Sequence, residues 1–138
     1  MKNKIDTKMY QLALGAYNNA YTPYSKFNVG AVIKLKDGSY ITGSNIENAS
    51  YSLTICAERA ALFSLYSKGY KKEDIEEMLI LGKTKEPISP CGACRQVMSE
   101  LMDKDALVVL TNFNKDIKTF KVKELLPYNF EGDNLNHE

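Results

Sequence analysis

The sequence predicts an α/β protein with a five-stranded mixed β-sheet, and three features of the chain support that fold class. Helical and strand-like apolar patterns alternate along most of its length, as in proteins that pack helices on a sheet. Residues 78–110 read as strand, helix and strand, which predicts a parallel pair with a right-handed crossover. Residues 111–116 are too few to contain another crossover, so the last strand is predicted to pair antiparallel. We expect residues 1–138 to form a single domain.

Length, composition and charge exclude several kinds of protein. The chain has 138 residues, of which 44% are hydrophobic and 25% charged, and this argues against disorder. A formal net charge of +1 argues against a nucleic-acid-binding surface, which normally carries a marked basic excess. No apolar run approaches the roughly 18 residues of a membrane span, and no apolar segment follows the first lysines as in a secretory signal. We expect a cytoplasmic protein with reduced thiols.

The first elements are predicted to be a helix followed by a β-hairpin. Asp6 or Thr7 can cap a helix that runs to about residue 19. Residues 27–35 and 40–46 alternate as strands, and residues 36–39 (Lys-Asp-Gly-Ser) form a hairpin turn signal. The apolar stripe of the helix has helical spacing and consists of Met9, Leu12, Ala13, Ala16 and Ala20.

The middle of the chain is predicted to add a second helix and a third strand. Residues 57–68 are helix-like, and Gly69 is a candidate stop because glycine readily takes the left-handed conformation found at helix ends. Residues 71–77 form a charged approach that we expect to face solvent. The third strand is predicted over residues 78–83.

The last part of the chain is predicted to complete the sheet. A proline-bounded loop over residues 85–90 leads to an amphipathic helix over residues 95–102. Residues 106–110 are a short apolar strand of the kind that is buried on both faces, and residues 117–122 form the last strand. Residues 123–127 are predicted to form a short helix that the final proline stops.

All three cysteines lie in two short segments: Cys56 stands at the start of the second predicted helix, and Cys91 and Cys94 form a Cys-x-x-Cys pair. Zinc usually takes four tetrahedral ligands, all from the protein at a structural site and three plus water at a catalytic site. The single histidine, His137, stands next to the C-terminus, where disorder is common. We therefore expect water in the fourth position and a catalytic zinc ion. Glu58 is then the candidate proton acceptor, because zinc lowers the pKa of bound water toward about 7.

Three thiolates around one divalent ion leave a net negative charge that the protein must offset. Both cysteine segments run into helix-like sequence, and helix N-termini stabilise anions. Arg59 lies three residues after Cys56, a spacing that places the two side chains on neighbouring faces of a helix and favours charge-assisted hydrogen bonds to the thiolates. Residues two apart on a helix point about 200° apart. Cys56 must therefore precede the helix if it and Glu58 face one cavity.

Three other interpretations of the cysteines compete with a catalytic zinc site. A redox pair of Cys91 and Cys94 would be of the thioredoxin type, but that chemistry needs neither Cys56 nor Glu58. A disulfide framework fits an odd number of cysteines poorly. A structural zinc site with an unrecognised fourth ligand would make the protein an interaction module without chemistry of its own, and it leaves Glu58 unexplained.

Two segments resemble the signature of the zinc-dependent nucleoside deaminases: residues 56–59 (Cys-Ala-Glu-Arg) and residues 90–96 (Pro-Cys-Gly-Ala-Cys-Arg-Gln). The similarity extends from residues 21–27 (Tyr-Thr-Pro-Tyr-Ser-Lys-Phe) to residues 125–130 (Leu-Leu-Pro-Tyr-Asn-Phe). It is closest in kind to the small homotetrameric cytidine deaminases of the cytidine/deoxycytidylate deaminase family. The resemblance implies a three-layer α/β/α cytidine deaminase-like fold, one Zn²⁺ per subunit on the three cysteines, and a homotetramer whose subunits share active sites.

The same resemblance implies a reaction. Cytidine and 2′-deoxycytidine would be deaminated hydrolytically to uridine and 2′-deoxyuridine in pyrimidine salvage, with zinc-bound hydroxide attacking C4 and Glu58 shuttling protons. Free-nucleoside deaminases share the antiparallel last strand, whereas polynucleotide-editing relatives insert a helix and make that strand parallel. We therefore expect a small-molecule nucleoside substrate and neither a nucleic-acid nor a membrane partner. Blasticidin S deaminase has the same metal motif and is the alternative within the enzymes.

The resemblance also implies which residues contact the substrate. Phe27 lies beside the pyrimidine, and the backbone N–H of Ala57 holds its O2. Asn45 and Glu47 hydrogen-bond the ribose hydroxyls, which suits an amide and a carboxylate. From the residues alone, Phe27 would be a core aromatic and Asn45 and Glu47 would be turn formers at a strand end. The residues implied to reach a neighbouring subunit's site are Ala49 and Tyr51, near the sugar 5′ end, and Phe130, over the base.

Overall fold

The computed structural model describes residues 4–135, and over that range the chain forms four α-helices and one β-sheet. The helices are α1 (Thr7–Asn18), α2 (Ala57–Ser67), α3 (Gly92–Leu101) and α4 (Val122–Leu125). The strands are β1 (Val29–Leu35), β2 (Tyr40–Ser44), β3 (Ile75–Gly82), β4 (Leu107–Thr111) and β5 (Ile117–Lys121). Short 3-10 helices cover Tyr51–Leu53, Lys72–Asp74 and Gly132–Leu135. None of the helices in the described range is both long enough and apolar enough to cross a membrane.

The five strands form one mixed sheet in the order β2-β1-β3-β4-β5. Strand β1 pairs antiparallel with both β2 and β3, and β3 pairs parallel with β4. The parallel pair is connected through α3, whereas only residues 112–116 join β4 to β5. Strand β5 accordingly pairs antiparallel with β4. The predicted mixed sheet and its antiparallel last strand are confirmed.

Helices cover both faces of the sheet, which gives the structure three layers. On one face, Met9 and Ala13 of α1 pack over the central strands. On the other face, Leu62 of α2 and Met98 of α3 belong to the larger core. Because successive strand residues point to opposite faces, the central strands supply both cores: Ala31, Ile33, Met78 and Ile80 lie in the larger one, and Val32, Leu79 and Leu81 lie in the smaller one.

The start of α1, the turn between β1 and β2 and the end of α2 lie where local sequence signals predicted them. The side chain of Asp6 caps α1, accepting a hydrogen bond from the Met9 N–H at 3.1 Å. Gly38, with φ +90°, turns the hairpin between β1 and β2, and Gly69, with φ +94°, follows the end of α2. Both glycines adopt the left-handed conformation that other residues disfavour.

Strand β3 and helix α3 both begin earlier than predicted. Strand β3 begins at Ile75, earlier than residue 78, because its first residues pair with β1, as Glu77 does with Lys34. Glu77 was predicted to face solvent and is only 3% exposed. Helix α3 begins at Gly92, earlier than residue 95, because Cys91 takes the N-cap position.

The hairpin is shorter than predicted at its open end. Strand β1 begins at Val29 instead of residue 27, and β2 ends at Ser44 instead of residue 46. There the side chain of Asn45 replaces a neighbouring strand. Its Oδ1 accepts from the Val29 N–H at 2.9 Å, and its Nδ2 donates to the Phe27 carbonyl at 2.8 Å.

Gly43 in β2 sets the distance between the sheet and the start of α2. A Cβ atom at this position would lie 2.4 Å from the Ala57 carbonyl oxygen and 2.5 Å from the Ala61 backbone nitrogen. Both atoms belong to the α2 backbone, so neither can yield unless the helix itself shifts. The first turn of α2 rests on β2 because residue 43 has no side chain.

We predict that Gly43→Ala lowers the free energy of unfolding by about 1–3 kcal/mol, the usual cost of overpacking. Gly15→Ala is the matched control, because an added Cβ in the middle of α1 meets nothing within 4 Å. Alanine there should raise stability by up to about 1 kcal/mol, since glycine is a poor helix former. Urea unfolding of both variants measures the effects, and an unchanged midpoint for Gly43→Ala would contradict the close packing.

Candidate metal centre

The two cysteine segments fold as the starts of two helices. Cys56 is the N-cap residue of α2, with φ −77° and ψ 156°, and Cys91 is the N-cap residue of α3, with φ −70° and ψ 167°. Cys94 lies in the first turn of α3. The three thiols therefore lie at helix N-termini, where unpaired backbone N–H groups and the helix dipole stabilise negative charge. Because Cys56 precedes α2, the rotation of a regular helix does not separate it from Glu58.

The three sulfur atoms form one cluster. They all lie within 4.8 Å of one another, and the Sγ atoms of Cys56 and Cys91 are 3.8 Å apart. Two sulfurs held about 2.3 Å from one tetrahedral ion would also lie about 3.8 Å apart, whereas a disulfide needs about 2.05 Å. All three cysteines are free. The donor set and its spacing fit Zn²⁺.

The cluster provides three protein donors from residues 4–135. His137 lies outside the described residues. Three thiolates are a ligand set that leaves one tetrahedral position for a water or substrate atom. Cys94 is buried, Cys56 is half-buried and Cys91 is exposed, so the cluster is reached from the side of Cys91.

Arg59 brings a positive charge to the cluster. Its Nη2 donates to the Sγ of Cys56 at 3.3 Å. Hydrogen bonds from Cys94 and then from Arg59 lower the pKa of Cys56 to about 5. The pKa of Cys94 is raised, because it hydrogen-bonds Cys56 and is buried. The Nε of Arg59 is buried and has no acceptor among the described residues, so sulfur is the principal partner of this guanidinium.

Glu58 is the buried acid of the site. It lies in the first turn of α2 and is only 5% exposed. Burial is the main cause that raises its pKa to about 6, and the negative charge of Cys56 acts in the same direction. A carboxyl group with a pKa near neutrality can both accept and return a proton at physiological pH.

A cavity of about 180 Å³ opens beside the cysteine cluster. Glu58 lines it together with Cys56 and Cys91. Of the residues that the family resemblance singled out, Phe27, Asn45 and Ala57 also line it. One small space therefore adjoins both the clustered thiols and a buried carboxyl group. Its other lining residues are Val29, Thr54, Ile55, Ile88 and Ser89.

Asn45 and Glu47 hold the loop that leads into β1. The amide of Asn45 bridges the backbone on either side of residue 28. The Oε1 of Glu47 accepts from the backbone N–H groups of Tyr24 at 3.0 Å and Ser25 at 3.1 Å. Hydrogen bonds from Ser25, its hydroxyl first, lower the pKa of Glu47. An amide has a second N–H and a carboxylate has about four lone-pair sites, so these bonds do not use the full capacity of either side chain.

A second cavity, of about 380 Å³, adjoins the first at Thr54. Glu47 and Tyr51 line it with Tyr24, whose ring meets that of Tyr51 edge to face at 6.1 Å between centroids. Asn45 and Glu47 therefore line two different cavities that share Thr54 as a lining residue.

Three of the predicted residues do not line the cavity beside the cysteine cluster of their own chain. Ala49 is exposed, and Tyr51 is 75% exposed on its 3-10 helix. Phe130 is 56% exposed and lines a separate cleft beside the C-terminal end of α3. The structure does not bring these side chains to the metal centre of their own chain.

Sequence reasoning assigned no role to Arg95. Its guanidinium hydrogen-bonds the loop that precedes Cys91 and also the end of α4. The local signal for this contact is its position directly after Cys94. The sequence does not show that α4 packs against the start of α3, so the contact with α4 could not be predicted.

The fold and the site define an α/β zinc-binding protein with a buried carboxyl group beside the metal position. The family model described as "Cytidine and deoxycytidylate deaminase zinc-binding region" matches residues 3–111. A cytidine deaminase from Halalkalibacterium halodurans is 52% identical over 124 residues, which cover 90% of this chain and 92% of the relative. A cytidine deaminase from Sporosarcina psychrophila is 43% identical over 122 residues, 88% of each chain.

Two solved structures of cytidine deaminases also match this chain. The crystal structure of cytidine deaminase from Burkholderia pseudomallei matches this fold with a TM-score of 0.88 and 44% identity, covering 91% of this chain and 99% of that one. The structure of cytidine deaminase from Mycobacterium tuberculosis matches with a TM-score of 0.77 and 33% identity, covering 93% and 99% of the two chains. The chain belongs to the cytidine and deoxycytidylate deaminase family.

Proposed function

We propose that this protein catalyses the zinc-dependent hydrolytic deamination of cytidine and 2′-deoxycytidine to uridine and 2′-deoxyuridine. The observation that carries the proposal is the buried Glu58, which lines the same cavity as the thiols of Cys56 and Cys91. A closed structural zinc site gives no reason to bury a carboxyl group there. The similar proteins named cytidine deaminases support the substrate. Residues 1–138 act as a single deaminase domain in this proposal.

One zinc ion per subunit is held by Cys56, Cys91 and Cys94, whose spacing fits the ion. Zinc held by three thiolates keeps one position for water and lowers the pKa of that water toward neutrality. The α2 and α3 N-termini and Arg59 offset the negative charge of the thiolates.

Glu58 carries the protons of the reaction. It accepts a proton from the attacking water and delivers it to ring N3 while the water oxygen bonds to C4. It then passes the second proton to the amino group, the C4–N bond breaks, and ammonia leaves as the C4 carbonyl forms. Each turnover consumes one water and returns Glu58 to its starting state. Burial of Glu58 keeps competing water from this proton path.

The remaining residues orient the nucleoside. Phe27 packs beside the pyrimidine, and the backbone N–H of Ala57 binds its O2. Ala57 is the first residue of α2, so its N–H is one of those that have no partner within the helix. Asn45 and Glu47 hydrogen-bond the ribose hydroxyls, which is supported by their places in the walls of two cavities that share Thr54.

The cellular setting proposed is pyrimidine salvage in the cytoplasm. Free thiols support a reducing compartment. A formal net charge of +1 and an antiparallel β5 support a small nucleoside as the substrate and oppose a nucleic-acid or membrane partner.

We also propose a homotetramer whose subunits share their active sites. Ala49, Tyr51 and Phe130 are exposed and do not line the cavity beside the cluster of their own chain, which supports contact with a neighbouring subunit's site. Native light scattering should give about four times the 15.5 kDa chain mass. A monomeric mass with activity retained would refute the assembly.

Glu58→Gln should keep zinc and nucleoside binding but slow turnover by about 100- to 10 000-fold, the usual share of a general acid–base group. The loss of ultraviolet absorbance on mixing zinc-loaded protein with cytidine measures turnover, and metal analysis measures zinc.

Blasticidin S run in parallel tests the alternative enzyme: loss of absorbance with that compound alone would show that blasticidin S, and not cytidine, is the substrate. No loss with either compound from zinc-loaded wild-type protein would favour the structural-zinc interaction module, and loss of zinc from Glu58→Gln would show that its role is misassigned.

Asn45→Asp should impair both the support of the loop at Phe27 and the contact with the ribose, and a comparison of two nucleosides separates the two effects. The new carboxylate meets the Phe27 carbonyl in place of an N–H donor, so kcat/KM should fall for both cytidine and 2′,3′-dideoxycytidine, which lacks the ribose 2′ and 3′ hydroxyls. The fall should be larger for cytidine, by roughly tenfold for one lost hydrogen bond to the ribose.

Glu47→Gln is the control for this comparison. It keeps an oxygen for the Tyr24 and Ser25 N–H groups, removes the charge and turns the other oxygen into an N–H donor, so it should affect cytidine and spare 2′,3′-dideoxycytidine. Equal losses with both nucleosides in both variants would show that these residues hold the loop and do not contact the ribose.

A further inference from the structure

The segment that brings Cys91 to the metal centre has little regular structure. Residues 83–91 lie outside the helices and strands, and Cys91 is exposed. Pro90 has no N–H to donate, and the backbone bond that precedes it, from the Ile88 N–H to the Thr111 carbonyl, is long at 3.5 Å. The Cys91 carbonyl accepts the first hydrogen bond of α3 at 3.0 Å, and Pro90 is buried. Within residues 4–135, however, no backbone hydrogen bond outside the helices and strands holds Ser89 or Pro90.

The side chain of Arg95 supplies that support. Its Nε donates to the Pro90 carbonyl at 2.9 Å, and its Nη2 donates to the Ser89 Oγ at 2.6 Å. Its Nη1 donates to the Leu125 carbonyl at 2.9 Å. The planar guanidinium thus joins the loop before Cys91 to the end of α4, a connection that no backbone hydrogen bond makes within residues 4–135.

Both ends of this connection are anchored in the core. Arg95 lies between two buried residues of α3, Cys94 and Met98. Val122 and Leu125 of α4 are also buried in the larger core. Ser89 and Pro90 are therefore tied to two elements whose positions are set by packing.

Geometry explains why arginine occupies this position. Its three recorded acceptors within residues 4–135 are two carbonyls and a hydroxyl, so no carboxylate there pairs with its charge. Arginine presents five N–H donors in a fixed plane, whereas lysine presents one flexible ammonium group. Lysine can keep the charge but cannot reach all three acceptors with the same geometry.

We infer that Arg95 is a positioning residue of the metal centre, which keeps the exposed ligand Cys91 beside the other two thiols by holding the preceding residues. The same contact keeps Ser89 in the wall of the cavity. The inference rests on the proposed zinc site, but it does not depend on the identity of the substrate.

Zinc release tests this role without turnover. Zinc-loaded Arg95→Lys and Arg95→Gln should release the ion to an excess of a chromophoric chelator about 10- to 100-fold faster than the unsubstituted protein, the range seen when the supports of metal ligands are removed. The spectrum of the Co²⁺-loaded variants, which reports the ligand set, should show a weakened thiolate band.

Gln96→Ala is the matched control. Its Nε2 donates to the Phe130 carbonyl at 2.9 Å, so the variant loosens the C-terminal segment at the next position of α3 without touching the loop before Cys91. It should release zinc at the rate of the unsubstituted protein. Equally fast release from Gln96→Ala would overturn the inference, because it would point to loosening of the C-terminal segment.

Unchanged release from folded Arg95→Lys and Arg95→Gln would also overturn it. If neither variant folds, Ser89→Ala decides the question, since it removes one acceptor and leaves the arginine in place. Faster release from Ser89→Ala is expected, and an unchanged rate would refute the inference. The proposed function can fail separately. If the Arg95 variants release zinc faster but the zinc-loaded unsubstituted protein does not deaminate cytidine, the proposed function is refuted and the role of Arg95 stands.

Discussion

The structure depends on two helix N-termini that meet on one face of the sheet. Strand β2 places the start of α2 there because Gly43 allows close contact, and the crossover between β3 and β4 places α3 beside it. The N-cap residues of the two helices are Cys56 and Cys91, whose sulfurs lie 3.8 Å apart. Gathering three thiols is electrostatically costly, and the two helix dipoles with Arg59 are the charges that offset it.

Asn45 and Glu47 both line cavities and hydrogen-bond the backbone of the loop that leads into β1. Asn45 replaces a missing strand beside Phe27, and Glu47 accepts two backbone N–H groups from the preceding loop. A substitution at either position therefore acts on loop geometry and on ligand contacts together, and the two effects separate only when the ligand is varied.

Burial increases from the entrance of the metal centre to its floor. Cys91 is exposed, Cys56 is half-buried, and Cys94 and Glu58 are buried. The buried end rests on the hydrophobic core, so its geometry follows from packing. Cys91 itself lies outside the core, and besides the burial of Pro90 the two residues before it are held by hydrogen bonds from Arg95. The exposure of Cys91 leaves the metal position accessible, but it also makes this ligand dependent on Arg95, which does not bind the metal.

The sequence by itself determined the order of the helices and strands and predicted the zinc site. Apolar periodicity, the Asp6 cap and the turn glycines are local signals, and the type and spacing of the three cysteines predict the cluster that the structure contains. Only the tertiary structure decided that β3 begins at Ile75 with Glu77 buried, that Asn45 serves as a strand substitute, and that Arg95 holds the loop before Cys91. Each of these depends on a partner far away in the chain. Local patterns record a residue's own conformational preference, but its neighbours in space are set by how the helices pack on the sheet.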